Sequence, residues 1–202
     1  MSFEIPYLED AYIEEAANKI LEKYHGSRTI PVPIETIVEV DLGIRVYPFP
    51  TLHVNHRLNA FMTGDRKIIF VDQRQYGQYV EKCRFSIAHE LGHYVLHWKY
   101  HDALPYTDIV SYLDWRASLD RKVVDRFETQ SGLFAGFVLM PTEELLGVCK
   151  RVVAEYRGEL KGLRIDPWPY IANEIAEVFE VSPKSALVRI RTGDIPSRIH
   201  LL

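Results

Sequence analysis

The stretch SIAHELGHYVLHW, residues 86–98, constrains the fold more than any other part of the chain, because histidines recur in it every four residues, at His89, His93 and His97, with Glu90 beside the first. Residues four apart on a helix lie one turn apart on the same face, so the His89 and His93 imidazoles can converge on a single ion. Glu90 lies about 100° round from His89, a poorer direction for a ligand but a good one for reaching a water at the edge of the site. Ile87, Leu91, Tyr94 and Trp98 run at intervals of four, three and four on the opposite side. That face would anchor the helix in a core.

The rest of the chain supplies a frame for such a helix. Residues 8–25 space Ile13, Ala16, Ala17, Ile20, Leu21 and Tyr24 at helical intervals and stop at Gly26. A second, proline-bounded helix is expected before Gly43, then a short strand over Ile44 to Tyr47. LNAFMT and KIIFVD flank Gly64-Asp65-Arg66, a turn of the kind that closes a β-hairpin. Lys99 to Ser118 reads as the longest irregular loop. A formal charge of −4 gives no general reason to expect nucleic acid or a membrane surface as partner. The acidic start, MSFEIPYLEDAY, lacks an apolar signal region, and no apolar run is long enough to span a bilayer, so a soluble, cytoplasmic protein is expected. Cys83 and Cys149 form neither a disulfide framework nor a metal knuckle and read as reduced, partly buried thiols.

A hydrolytic zinc site needs a third protein ligand and one open position. His97 continues the stripe but lies about 6 Å beyond His93, out of reach of the same ion on a straight helix. A metzincin arrangement would need glycine at 96 and histidine at 99, where the chain has Leu96 and Lys99. The remaining source is VVDRFETQSGLFAGFVLMP, residues 123–141, which reads as a helix with an apolar stripe of Val123 or Val124, Phe127, Phe134 and Val138. Its other face carries Glu128 among Ser131, Gly132, Ala135 and Gly136. Two mid-helix glycines suggest a close helix crossing, one that could carry Glu128 to the histidines. The alternative is a tight crossing with Glu128 left in solvent.

FSIAHELGHYVLH, followed by FETQSGLFAGFVLMP and preceded by TIPVPIETIVEVDLGIRV, resembles the ImmA/IrrE family of metallo-endopeptidases over roughly residues 8 to 145. The resemblance implies an α+β, zincin-like domain with a small β-sheet, the HExxH helix and a second, Glu-bearing helix. It also implies one zinc held by His89, His93 and Glu128, with Glu90 catalytic. Gln130, Phe134, Ala135, Leu139, Met140 and Pro141 match the family's second motif, while Ser131 and Gly132 replace its usual Ala-Asn. His97, Tyr100, His101 and Tyr106 stand near enough in sequence to act behind the ligands or as donors to an oxyanion. The family is associated with cleavage of helix-turn-helix repressors, so the expected partner is a protein or peptide substrate such as a repressor or antitoxin.

Residues 1–160 are expected to form the peptidase domain, with 161–202 a small helical extension packed on it. In that extension IANEIAEVFEVSPKSALVRIRTGDI reads as two helices broken at EVSP, with Ser182 as cap before Pro183. Glu180 in the turn, and Glu174 and Glu177 beside it, argue against a DNA-reading helix pair, so nucleic acid is not an expected partner. A non-enzymatic interaction or regulatory module that keeps a metal for stability, or reads DNA through its C-terminal helices, is the competing class. Glu90 speaks for the enzyme, because a closed structural zinc site has no use for an acid–base carboxylate beside an open position.

Overall fold

Helix α1 (Asp10–Tyr24) forms where the apolar spacing requires it and buries Ile13, Ala17 and Leu21. The computed structural model describes residues 5–97, 106–160 and 165–199. Helix α2 (Ile34–Thr36) starts behind Pro33 and widens into a π-helical turn, Ile37–Asp41. Gly43, at φ +67°, takes the left-handed conformation that turns the chain out of it. Ile44 donates its N–H back to the carbonyl of Val38, so strand β1 begins one residue later than expected and spans Arg45–Phe49.

Strands β2 (Ala60–Met62) and β3 (Ile68–Asp72) pair antiparallel as the expected hairpin, and β1 pairs parallel to β3, giving the order β1-β3-β2. The connection from β1 to β2 contains a short helix, α3 (Leu52–His56). Asp72 ends β3 and caps α4 (Gln73–Gln78), accepting the N–H groups of Arg74 and Gln75, and its other oxygen accepts the N–H of His53 on α3. One carboxylate thus ties a strand and two helices together.

The motif helix is α5 (Val80–Leu96). Its inner face includes Ile87 and Leu91, both essentially buried, with Tyr94 partly buried against the same core. Trp98 lies outside the described residues. Near its start the buried Arg84 donates to the carbonyls of Glu180 and Val32 and to the Glu35 carboxylate at 3.0 Å. This guanidinium fastens α5 to the α2 region and to the C-terminal turn.

The stretch expected to be a loop from Lys99 to Ser118 instead contains helix α6 (Ile109–Ala117). Asp108 accepts the N–H of Ser111 while the Ser111 hydroxyl engages the Asp108 backbone N–H, a reciprocal cap that starts a helix without a long apolar stripe. Helix α6 lays Tyr112 on a second apolar cluster with Leu52, Leu58, Phe61 and Tyr106.

Helix α7 (Arg121–Leu139) begins at an Asp120 cap and packs along α5. It is followed by α8 (Thr142–Glu155), α9 (Arg157–Leu160), α10 (Trp168–Phe179), α11 (Pro183–Thr192) and α12 (Ile195–Arg198). Ser182 caps α11 by accepting from Ser185 N–H, as its position before Pro183 suggests. The main core runs without a break from Ile13 on α1 to Ile199, taking in Trp168, Ile171, Ile175 and Phe179 of α10.

The close crossing of α5 and α7 exists, but it is not made by Gly132. A Cβ on Gly92 of α5 would stand 3.0 Å from the Ser131 Cα and carbonyl oxygen and 3.2 Å from Phe134 Cβ, whereas a Cβ on Gly132 would meet nothing within 4 Å. Phe127, Ser131 and Phe134 face α5, so the face expected to be all small carries two rings. Gly132 points elsewhere. Gly92→Ala should therefore destabilise the protein by about 1–3 kcal/mol, because backbone cannot yield as a side chain can. Gly132→Ala should raise stability by up to about 1 kcal/mol. Urea unfolding of both variants checks the pair, and equal behaviour would contradict the assigned contact.

Candidate metal centre

His89 and His93 leave α5 on one face with their Nε2 atoms 3.1 Å apart. From α7, Glu128 brings Oε2 to 3.1 Å from His89 Nε2. Four ligands at 2.0–2.1 Å round a zinc ion stand about 3.3 Å from one another, so the His89–His93 and His89–Glu128 separations each suit a pair of ligands to a small divalent cation. Glu90 contributes a second carboxylate: with His89 and His93 it offers ligand atoms all within 4.8 Å of one another, a group that could hold a metal. Both carboxylates therefore border one small volume.

The two are held differently. Arg116, on α6, donates to Glu128 Oε1 at 3.0 Å, leaving Oε2 toward the histidines. Glu90 takes the N–H of Met62 on β2. Asn59 O and Thr63 N pair with β3, so the alternation of an antiparallel ladder turns the Ala60 and Met62 peptide groups to the other side, where α5 lies.

Burial raises the Glu90 carboxyl to about 7, the Glu128 charge adding to it and His89 opposing. For His89, burial alone would lower the pKa, but the hydrogen bond it donates to Glu128 and the charges of both carboxylates win, and it is raised. Burial would likewise raise Glu128, yet His89 and Arg116 hold it below the usual carboxylate value.

The ring behind the site decides which nitrogen of His93 carries its proton. Gln130 Nε2 donates to the Pro6 carbonyl at 2.8 Å, which leaves Oε1 to accept from His97 Nε2 at 2.9 Å. A neutral His97 then has a bare Nδ1, which faces His93 Nδ1 at 3.2 Å, while Ser131 Oγ lies 2.8 Å from the same His93 nitrogen. His93 accordingly keeps its proton on Nδ1 and turns a lone pair on Nε2 toward His89 and Glu128. This is the tautomer a metal ligand needs. Phe127 stacks on both His93 and His97, at 3.9 and 4.4 Å between ring centres.

A cavity of about 170 Å³ opens over these groups, bordered by Leu58, Ala60, Phe85, Ser86, Tyr112 and Arg116. His97 is fully buried behind it, and Tyr106, 3% exposed, packs against Tyr112 and Trp115 and does not line it. Tyr100 and His101 lie outside the described residues. Tyr112, Arg116 and Gln130 were not singled out in the sequence as site residues. The Asp108–Ser111 spacing was the available signal for the helix that carries the first two.

The C-terminal helices offer little to a phosphate backbone. Arg189 is buried, Arg191 pairs with Asp166 at 2.7 Å, and Arg198 stands 3.8 Å from Glu143, leaving Lys184 alone of the four both exposed and without an ion pair among the described residues. Among the described residues no single helix is long and apolar enough to cross a membrane.

The family profile described as the IrrE N-terminal-like domain, of the M78 peptidases, matches residues 40–191, and the chain belongs to that family. No curated protein sequence matches it. Among solved structures it is similar to a Mycobacterium tuberculosis transcriptional regulator, at 14% identity and a TM-score of 0.53, over 89% of this chain and 46% of that one. At that identity the likeness is one of fold, and the chain spans less than half of the regulator's length.

In the metal-free protein, a carboxyl raised from 4.5 to about 7 keeps its proton in the folded state while the unfolded chain loses it. Between these values rising pH must therefore cost stability, roughly 3 kcal/mol once complete above 7. Glu90→Gln removes that cost. Urea titrations of chelator-treated wild type and variant from pH 4.5 to 8 should show the variant's advantage growing with pH, and a constant gap would mean that Glu90 ionises at an ordinary value.

Proposed function

We propose that the chain is a zinc-dependent endopeptidase that cuts a specific protein partner. The observation that carries this reading is that His93 Nε2 and Glu128 Oε2 each stand 3.1 Å from His89 Nε2, beside a second carboxylate, Glu90, that groups with the two histidines. In this reading His89, His93 and Glu128 hold one zinc ion. When bound, zinc supplies Lewis acidity, polarising the scissile carbonyl and acidifying the attacking water.

The chain's own residues do the rest. Glu90 accepts the proton of the attacking water on a carboxylate oxygen and returns it to the leaving amine nitrogen. Its carboxylate groups with His89 and His93 around one small volume, where it can reach a water bound beside them. Arg116 neutralises the outer oxygen of Glu128, so the inner one is presented in fixed orientation. Tyr112, whose burial and whose carboxylate neighbours push its phenol well above the ordinary value, stays protonated and serves as hydrogen-bond donor to the developing oxyanion. It takes the role for which Tyr106 and His97, both sealed behind the cavity, are badly placed. The Ala60 peptide groups, which β3 leaves unpaired at the sheet edge, suit an extended substrate strand.

Resemblance points to a helix-turn-helix repressor or antitoxin as the substrate, and the family membership supports a protein substrate in general. A cytoplasmic setting goes with such a partner. Glu90→Gln should abolish hydrolysis of that partner while keeping about one zinc per chain, and Tyr112→Phe should lower kcat by a hundredfold or more with little change in KM. His89→Ala, His93→Ala and Glu128→Ala should each lose the metal, whereas His97→Ala should weaken it about ten- to a hundredfold. Metal analysis by mass spectrometry, with digestion of co-incubated repressor candidates, reads all of these. Full turnover by Glu90→Gln, or zinc retained by Glu128→Ala and lost by His97→Ala, would overturn the assignment.

A further inference from the structure

We infer that the groove between α7 and α11 is the pocket that receives apolar side chains of the substrate segment next to the bond being cut, a proposal that rests on the peptidase reading above. The groove has a volume of about 500 Å³ and is walled by Phe85, Thr129, Gly132, Leu133, Gly136 and Val188. That volume is within the range of pockets that bury small ligands and is ample for two large side chains.

Phe85 joins it to the metal centre. This ring lines the groove and also borders the cavity over His89, Glu90 and Glu128. It stands one helical turn before His89, and Gly132 one turn after Glu128, so each helix that supplies a metal-facing side chain supplies a wall of the groove about 6 Å away. A peptide whose backbone lies along β2 and passes the metal centre meets the groove at Phe85.

Gly132 argues for an occupant. Glycine inside a helix lowers stability relative to alanine, and this one lies mid-way along α7 with nothing among the described residues, beyond its own helix backbone, within 4 Å of where a Cβ would be. Its neighbour in the groove, Gly136, has only Arg189 Cδ at 3.4 Å. The packing of this chain therefore does not require the opening at Gly132. An incoming side chain would use it.

The chemistry of the walls selects an apolar one. Leu133 and Phe85 are carbon surfaces, and Val188 stands 52% exposed on α11 with no other described role. Arg189, although it lines the groove, has its guanidinium turned to the Met140 carbonyl and the Thr142 hydroxyl and lies over the Phe137 ring at 4.4 Å. Lys184 sits in the lining at the exposed first turn of α11. A polar cavity of about 380 Å³ meets Phe85 as well, lined by Asn59, Arg74, Lys82 and Ser182. The ring therefore divides an apolar from a polar path away from the metal centre, and a cleavable segment should carry its large apolar residues on one side of the scissile bond only.

The test uses the zinc-loaded full chain with Glu90→Gln, so that binding is read without turnover. The probe is a dye-labelled peptide of Gly, Ser and Asn with one Leu-Leu pair, compared by fluorescence anisotropy with its Ser-Ser counterpart. The Leu-Leu probe should bind at least tenfold more tightly, and Gly132→Leu, which fills the groove, should erase that preference without lowering zinc content or the unfolding midpoint. Val188→Asp, at an exposed position on the opposite wall, should do the same and serves if Gly132→Leu does not fold. A preference that survives in the folded variants, or none in the parent, overturns the proposal. Should the Glu90-containing protein cleave peptides without regard to Leu, the groove assignment falls and the peptidase stands. If it cleaves none while the Leu preference and its loss in both variants are seen, the groove stands and the peptidase reading falls.

Discussion

The contact between Gly92 of α5 and the Ser131 backbone of α7 sets the distance on which the site depends. Because no side chain separates them, the two helices lie close enough for His89 and Glu128, from different helices, to meet at 3.1 Å. The same approach puts Phe127 against His93 and His97 and brings Ser131 Oγ to His93 Nδ1. Larger side chains at the crossing would move a carboxylate and two imidazoles at once, since packed interiors do not absorb a methyl group without displacement. Geometry at the metal centre is thus a consequence of core packing and not of flexible ligand side chains finding each other.

Holding two carboxylates and two imidazoles in one buried volume is costly unless their charges are apportioned. Arg116 takes one oxygen of Glu128, His89 the other, and the result is a carboxylate kept ionised. For Glu90 the Met62 N–H does not outweigh burial, which holds its proton to about 7. Two chemically identical groups are thereby given opposite tendencies, one toward permanent charge and one toward proton exchange near neutrality. A cation among His89, His93 and Glu128 would favour the ionised form of Glu90, so the readiness of the base is coupled to occupancy of the site.

Much of this could be read from the chain because it is written in period. The four-residue spacing of His89 and His93, the apolar Ile87 and Leu91 behind them, and the hairpin residues on either side of Gly64 all express regular secondary structure, and they fold as their spacing implies. Ser182 and Pro183 mark the start of α11 for the same local reason. What was illegible depends on tertiary arrangement. Arg116 and Tyr112 sit on a nine-residue helix whose only local signature is a cap, and their distance from Glu128 is set by how α6 lies on Leu52, Leu58 and Phe61. The small residues were recognised as a reason for close approach, but the glycine on the partner helix, inside the histidine motif itself, makes it. Spacing along one helix cannot tell which of its two small faces meets a neighbour.

That ambiguity divides the glycines by function. Gly92 is small because backbone lies against it, and an added methyl group there would collide with atoms that cannot rotate away. Gly132 is small with no such neighbour, on the side of α7 that turns from α5 toward α11. A helix that supplies a ligand on one edge is therefore bounded by a closed seam and by an open groove, and Phe85 joins that groove to the volume in front of His89. The seam fixes where His89, His93 and Glu128 stand. In the proposed reading the groove takes side chains of a bound segment, so rigidity of the site and choice of substrate would come from opposite faces of the same helix.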